Sequence, residues 1–186
     1  MDKWKLIKSE TIFENKFFKL LKDTIEVPTK DTVEWFYTTS NDSVMVVGMT
    51  KDHKLVLVRQ YRYFIDDDSL EFPAGLIEDN EHVEDSARRE FEEESGYKCN
   101  KLIKLGSFHE TVNRLKRQIH IYFTDDVEPS EQNLDSGDRG FEEIEVELID
   151  FDEAVKMVLD NKIIVAGTAL AILLLKEKVD KGEIKT

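Results

Sequence analysis

Apolar residues recur along the chain in two periods, and the changes between them mark out the elements. In the first 40 residues "LLKDTIEV" and "VEWFYTT" flank the turn signal "PTKDT", which predicts a hairpin or small sheet over residues 1–40, an N-terminal β appendage. "SVMVVGM" and "KLVLVRQYRY" are rich in β-branched residues and are separated by Thr50-Lys51-Asp52-His53, as in a β-hairpin. "DDDSLEFPAG" breaks that pattern, a helical period begins near Glu81, and Gly96 ends it as a left-handed C-terminal glycine would.

Beyond Gly96, "KLIKLGSF" and "QIHIYFTDDV" read as strands, "EPSEQNLDSGDRG" as a polar loop, and "EIEVELI" as another strand. Two helices follow, Asp152 to Asp160 and Ala166 to Lys178. Strands lie on both sides of the central helix and helices close the chain. This predicts an α/β (α+β) sandwich, with residues 41–186 forming its main domain. There is no internal repeat and no low-complexity tract.

At 186 residues the chain is long enough for one substantial core. Its net charge of −14 repels phosphate backbones and anionic lipid alike, so neither nucleic acid nor a membrane surface is an expected partner. The longest apolar run, Ile163 to Leu175, is shorter than the roughly 20 residues of a membrane helix and reads as a buried helix. The N-terminus lacks a signal-peptide core and Cys99 is the only cysteine, so a reducing, cytoplasmic setting is the default expectation.

The segment "GLIEDNEHVEDSARREFEEESGY", Gly75 to Tyr97, sets nine acidic side chains against two arginines, and such a run is ordinarily a solvated helix face. The spacing argues otherwise. At about 100° per residue with Glu90 at zero, Val83, Ala87 and Phe91 fall near 20°, 60° and 100°, and Glu94 falls among them near 40°. Glu90 and Glu94 therefore share the apolar side, Glu93 lies near 300° at its margin, and Glu92, Asp85 and Arg88 point away. Carboxylates facing an interior are unfavourable unless protonated, paired or metal-bound, and the helix dipole opposes Glu93 and Glu94 in the last turn. A divalent cation reverses these signs, and oxygen-only ligands call for a hard ion, Mg²⁺ or Mn²⁺.

These residues resemble the Nudix box. The matching positions are Gly75, Glu81, Arg89, Glu90, Phe91, Glu93, Glu94, Gly96 and Tyr97, with aromatic residues at the two apolar positions. The resemblance implies hydrolysis of a nucleoside diphosphate linked to a further group, on a loop-helix-loop carried by an α/β/α sandwich with a mixed sheet. It implies that Glu90 and Glu94 are metal ligands together with the carbonyl of Ala74 and with Glu93, and that Gly75, Glu81, Arg89 and Gly96 are structural. Glu90 and Glu93 would then serve the catalysis. The family also places a catalytic or water-positioning glutamate in a later loop, where "GDRGFEEIEV" offers Glu142 and Glu143 and alignment of the following strand with the family favours Glu142.

"RQYRY" and "LEFPAG" are similar to the branch of the family that splits ADP-ribose and other nucleoside diphosphate sugars, and the likeness extends over roughly residues 5 to 178. It implies a homodimer whose N-terminal subdomain serves dimerisation and base binding. Arg62 would contact the pyrophosphate, which suits the bidentate reach of a guanidinium, and Glu71 would lie beside the metal site. Tyr61 belongs to the same substrate-binding stretch. Trp35, with Phe36 and Tyr37, offers a stacking platform for a base, although strand aromatics are more often core.

One departure concerns the turn after the box, where the branch carries Pro-Gly and this chain carries Val112-Asn113. His109 and Glu110 lie on that loop, and Arg114, Lys116 and Arg117 form the densest basic cluster in the chain, able to attract an anion. The base and the sugar stay open at this level. So do two other readings: hydrolysis of another substrate such as a dinucleoside polyphosphate, a nucleoside triphosphate or coenzyme A, and a sensor that binds nucleotide sugars without cleaving them.

Overall fold

The computed structural model describes residues 1–134 and 143–185, so Glu142 lies outside the described residues. The chain divides into two compact units, one of Met1–Asp42 with Phe108–Ile119, the other of Ser43–Ser107 with the described residues from His120 onward.

In the first unit, strands β1 (Lys5–Glu14), β2 (Lys19–Glu26) and β3 (Thr32–Thr39) form an antiparallel meander. The Asn15 carboxamide oxygen accepts from the backbone N–H groups of Phe17 and Phe18 at the first turn, and Lys30 takes φ 73 at the second. β10 (Leu115–Lys116) adds parallel to β3, with Leu115 opposite Thr38, which makes this sheet mixed. The appendage expected over residues 1–40 thus also takes in a segment from much later in the chain. β1 was not legible as a strand because nearly every residue in it is exposed, so neither face carries a burial signal.

The second unit is built on β4 (Ser43–Met49) and β5 (Lys54–Arg62), whose tight turn places His53 at φ 60. They sit inside a sheet ordered β13, β5, β4, β11, β9, where β9 is Ile103–His109, β11 Gln118–Thr124 and β13 Ile144–Asp150. Within "DDDSLEFPAG" the structure forms β6 (Asp67–Glu71) on β5 and runs into β7 (Ala74–Leu76) on β4. Helix α1 spans Val83–Ser95, α2 Phe151–Leu159 and α3 Ala166–Asp180, while β8 (Tyr97–Cys99) pairs with β12 (Val127–Pro129).

β4 is buried along its whole length, which accounts for its unbroken apolar run: a central strand covered on both faces has no polar alternation. Val44 and Val46 pack with Ala87 and Phe91 of α1, and Phe91 lies so close to Gly48 that a Cβ there would be 2.4 Å from its ring. Met45, between them in sequence, reaches the neighbourhood of Gly167 on α3. Because alternate residues of a strand point to opposite faces, α1 and α3 cover opposite sides of the sheet, with α2 packed on α3, β13 and β5. The expected α/β/α sandwich is this second unit. Cys99 lies in the same core, where burial pushes its thiol up to about 11 and leaves it inert at neutral pH.

Candidate active site

The site is assembled where α1 meets β7. α1 starts at Val83, two residues after Glu81, with Glu84 and Asp85 in its first turn, where the helix dipole favours them. It ends at Gly96, which takes φ 66 and donates its N–H to the Glu92 carbonyl, as the glycine in the sequence predicts. Glu94 is buried and Glu90 is largely so, whereas Asp85 is exposed, in line with the helical count.

Arg89 organises the acidic residues. Its Nε and Nη2 donate to the two oxygens of Glu81, each at 2.9 Å, while Nη1 reaches Glu90 at 2.9 Å and Glu93 at 3.3 Å, and Nη2 also donates to the Leu76 carbonyl. Every nitrogen of the guanidinium is therefore engaged. Glu81 further accepts from the Glu78 N–H and the Ser86 hydroxyl. The Arg89 bond, assisted by these two, holds the Glu81 carboxyl down at about 2, and the same carboxylates raise the Arg89 guanidinium. Ser86 is a participant that the sequence reading missed. Its hydroxyl is fully buried and so must find an acceptor, but on the helical count Ser86 falls near 320°, at the margin of the apolar side, so spacing did not single it out.

Glu90 lies against β7. A Cβ added to Gly75 would stand 2.0 Å from the Glu90 carboxyl carbon and 2.1 Å from each oxygen, so the glycine of the motif makes room for that carboxylate. Glu94 accepts from the Ala74 N–H at 2.9 Å, which joins the end of α1 to the start of β7. Ala74, Glu90, Glu93 and Glu94 thus meet at one loop-helix junction. Among the described residues no three acidic, histidine or cysteine side chains stand at metal-holding distances; Glu90 and Glu93 accept from Arg89, and Glu94 accepts from the Ala74 N–H. The donor set nonetheless suits a hard cation. All its atoms are oxygens, and Gly75 leaves the Glu90 carboxylate a cradle that any Cβ would fill.

Arg62, at the end of β5, forms a forked pair with Glu71 of β6 at 2.6 and 2.8 Å. Glu71 is buried and also accepts from the Ser69 hydroxyl, so its charge is satisfied by three donors. Tyr61 is exposed and donates to Asp66 at 2.8 Å. A pocket of about 680 Å³ is lined by Arg89, Glu92, Glu93 and residues 130–133.

Trp35 lies in the first unit, edge-on to Trp4 with ring centroids 5.8 Å apart. It lines a separate pocket of about 350 Å³ with Asp23, Tyr37, His109, Arg114 and Lys116. Of the basic cluster, Arg117 is paired with Glu110, and Arg114 donates to the Phe36 carbonyl at 3.2 Å. His109 is at the end of β9 and its Nδ1 lies 3.2 Å from the Arg117 carbonyl, while Val112, in the place of the expected proline, is exposed.

The loop-helix geometry, with its glycine cradle and arginine-bound carboxylates, agrees with the comparisons. The family model for the NUDIX domain matches residues 39–167, and the chain belongs to the Nudix family of hydrolases. It is similar to the ADP-ribose pyrophosphatase of Bacillus subtilis, 29% identical over 174 residues that cover 94% of this chain and 93% of the relative. It is also similar to the methanol dehydrogenase activator of Bacillus methanolicus, 32% identical over 171 residues and 90% of each chain. A crystal structure of an ADP compounds hydrolase shares the fold with a TM-score of 0.85, at 22% identity, covering 100% of this chain and 98% of that one.

Proposed function

We propose that this protein hydrolyses the pyrophosphate of ADP-ribose or a related nucleoside diphosphate sugar, giving a nucleoside monophosphate and a sugar phosphate. The observation that carries the reading is the meeting of Glu90, Glu93 and Glu94 with Ala74 and Gly75, in a chain alignable almost end to end with an ADP-ribose pyrophosphatase.

Nudix hydrolases generally need divalent cations, and in this chain Glu90, Glu93, Glu94 and the Ala74 carbonyl would hold Mg²⁺ or Mn²⁺. Bound there, the ion would neutralise the pyrophosphate and acidify a water for attack on phosphorus. The chain's own groups supply the rest. Arg89 holds Glu81, Glu90 and Glu93 in register, and Glu81 is the anchor that keeps Arg89 in place. Arg62, oriented by Glu71 and partly exposed, would meet the substrate's anionic oxygens. Glu142, outside the described residues, remains the candidate for positioning water from the later loop.

Trp35 would stack on the base, within a homodimer formed through the N-terminal unit. The exposed Trp4, Leu6, Ile12, Phe13 and Phe36 support that pairing, since an apolar surface of this kind in one unit marks an interaction face. Among the described residues no helix is long and apolar enough to cross a membrane. A cytoplasmic setting is the reading that a single, buried cysteine supports.

The test is release of phosphate from ADP-ribose, ADP-glucose, UDP-glucose, GDP-mannose and dinucleoside polyphosphates after phosphatase treatment, and from nucleoside triphosphates after treatment with inorganic pyrophosphatase alone, with and without Mg²⁺. Mg²⁺-dependent turnover of the sugar nucleotides alone is expected. Turnover of triphosphates or dinucleoside polyphosphates in preference would overturn the substrate class, and binding of ADP-ribose without turnover of any compound would favour the sensor.

A further inference from the structure

The last turn of α1 carries Glu92, Glu93 and Glu94 and no basic residue, so three carboxylates lie at the negative end of the helix dipole. Its terminal carbonyls also need donors from outside the helix. The segment 130–133 serves two of them, those of Glu93 and Glu94, and also binds the Gly96 carbonyl just beyond the helix and the Glu92 side chain. Asn133 donates its backbone N–H to the Glu93 carbonyl at 3.0 Å, Ser130 donates to the Gly96 carbonyl at 2.7 Å, and the Ser130 hydroxyl donates to the Glu92 carboxylate. One side chain serves the carbonyl of Glu94 itself. The Gln132 Nε2 donates to it at 2.7 Å and, with its other hydrogen, to the Ile144 carbonyl of β13 at 3.1 Å. The strap passes so close to the helix end that a Cβ on Gly96 would lie 3.1 Å from the Gln132 backbone nitrogen.

We propose that Gln132 is a positioning residue for the metal-holding turn. By tying the Glu94 carbonyl to β13 it fixes the height and rotation of the turn from which Glu93 and Glu94 project, an inference that rests on the metal-binding reading given above. A neutral amide suits this place. It gives two hydrogens to two carbonyls without adding charge beside the carboxylates, whereas a glutamate of the same shape would set an acceptor against both carbonyls and a fourth negative charge at the helix end.

The experiment measures Mn²⁺ binding to the full-length protein by electron paramagnetic resonance of the free ion. It compares wild type with Gln132→Met, which keeps the shape and removes the donors. Partners in the shell behind metal ligands typically contribute 10- to 100-fold in affinity, so the Mn²⁺ dissociation constant should rise at least about tenfold in Gln132→Met. Gln132→Asn keeps the amide on a shorter arm, should fall between the two, and keeps the test open if the methionine variant does not fold. Ile172→Val, in the core of α3, lowers stability away from the site and should leave Mn²⁺ affinity as in wild type.

Wild-type affinity in Gln132→Met and Gln132→Asn overturns the inference, as does an equal loss in Ile172→Val, which would make the effect one of general stability. Failure of the wild-type protein to bind Mn²⁺ at all overturns the metal-binding reading, and this inference with it, and is distinguishable from the other results.

Discussion

At the scale of single residues, the charge of Arg89 settles the acidic cluster. Its fork on Glu81 holds that carboxyl at about 2 instead of the ordinary 4.5. A carboxyl whose value is lower in the folded state than in the unfolded one contributes stability that is complete above the ordinary value and is lost as pH falls through the folded value. Wild type is therefore expected to lose stability more steeply between about pH 5 and about pH 2 than Glu81→Gln does, by urea unfolding at each pH. A parallel dependence in the two proteins would remove Glu81 from that role. Gly75 gives a second prediction. Alanine there collides with the Glu90 carboxyl, so Glu90 must move aside, and displacements of about 1 Å at a reacting centre cost on the order of 100-fold in rate. Gly75→Ala should fold, by circular dichroism, and show a loss of that size in turnover of ADP-ribose.

At the scale of elements, α1 is held by what lies at its ends and beneath its middle. Gly96 at φ 66 permits the helix to stop and turn into β8, and alanine there is expected to cost about 1 kcal/mol, a fall of roughly 2–4 °C in Tm for a chain of this size. Phe91, fully buried against Gly48 and the β4 valines, is expected to cost about 3–5 kcal/mol on truncation to alanine. Calorimetric Tm values that ranked the two variants in the opposite order would contradict this account of the helix.

The same helix shows what periodicity can and cannot reveal. Its apolar stripe, its inward carboxylates and its terminal glycine were legible because each follows from spacing along one element. β4 and β5 were legible because their burial leaves continuous apolar runs. β1, exposed on both sides, and β8, β10 and β12, two or three residues long, left no such trace. Arg89 was legible as a charge partner through the motif alone. The strap at residues 130–133 was not legible, since its hydrogen bonds join residues 38 apart in sequence. Nor was the pairing of β3 with β10, where Thr38 bonds across 76 residues to Arg114.

At the scale of the whole molecule, the net charge of −14 and the apolar side chains of the N-terminal unit pull in different directions. The charge opposes association, and the exposed Trp4, Ile12 and Phe13 favour it. We expect burial of these side chains to prevail. Sedimentation equilibrium should then give twice the 21.7 kDa chain mass, with Phe13→Glu shifting the population to the monomer. A wild-type monomer at micromolar concentration would remove the dimer from the account.

Whether the inward carboxylates of α1 serve catalysis is tested most directly by Glu90→Gln. The substitution keeps the shape of the side chain and its place against Gly75 while removing the charge. Turnover of ADP-ribose in Mg²⁺, measured beside ADP-ribose binding by calorimetry, should fall at least about 100-fold with the ligand still bound, in the range typical of losing one electrostatic catalytic group. Unchanged turnover in Glu90→Gln would contradict the account.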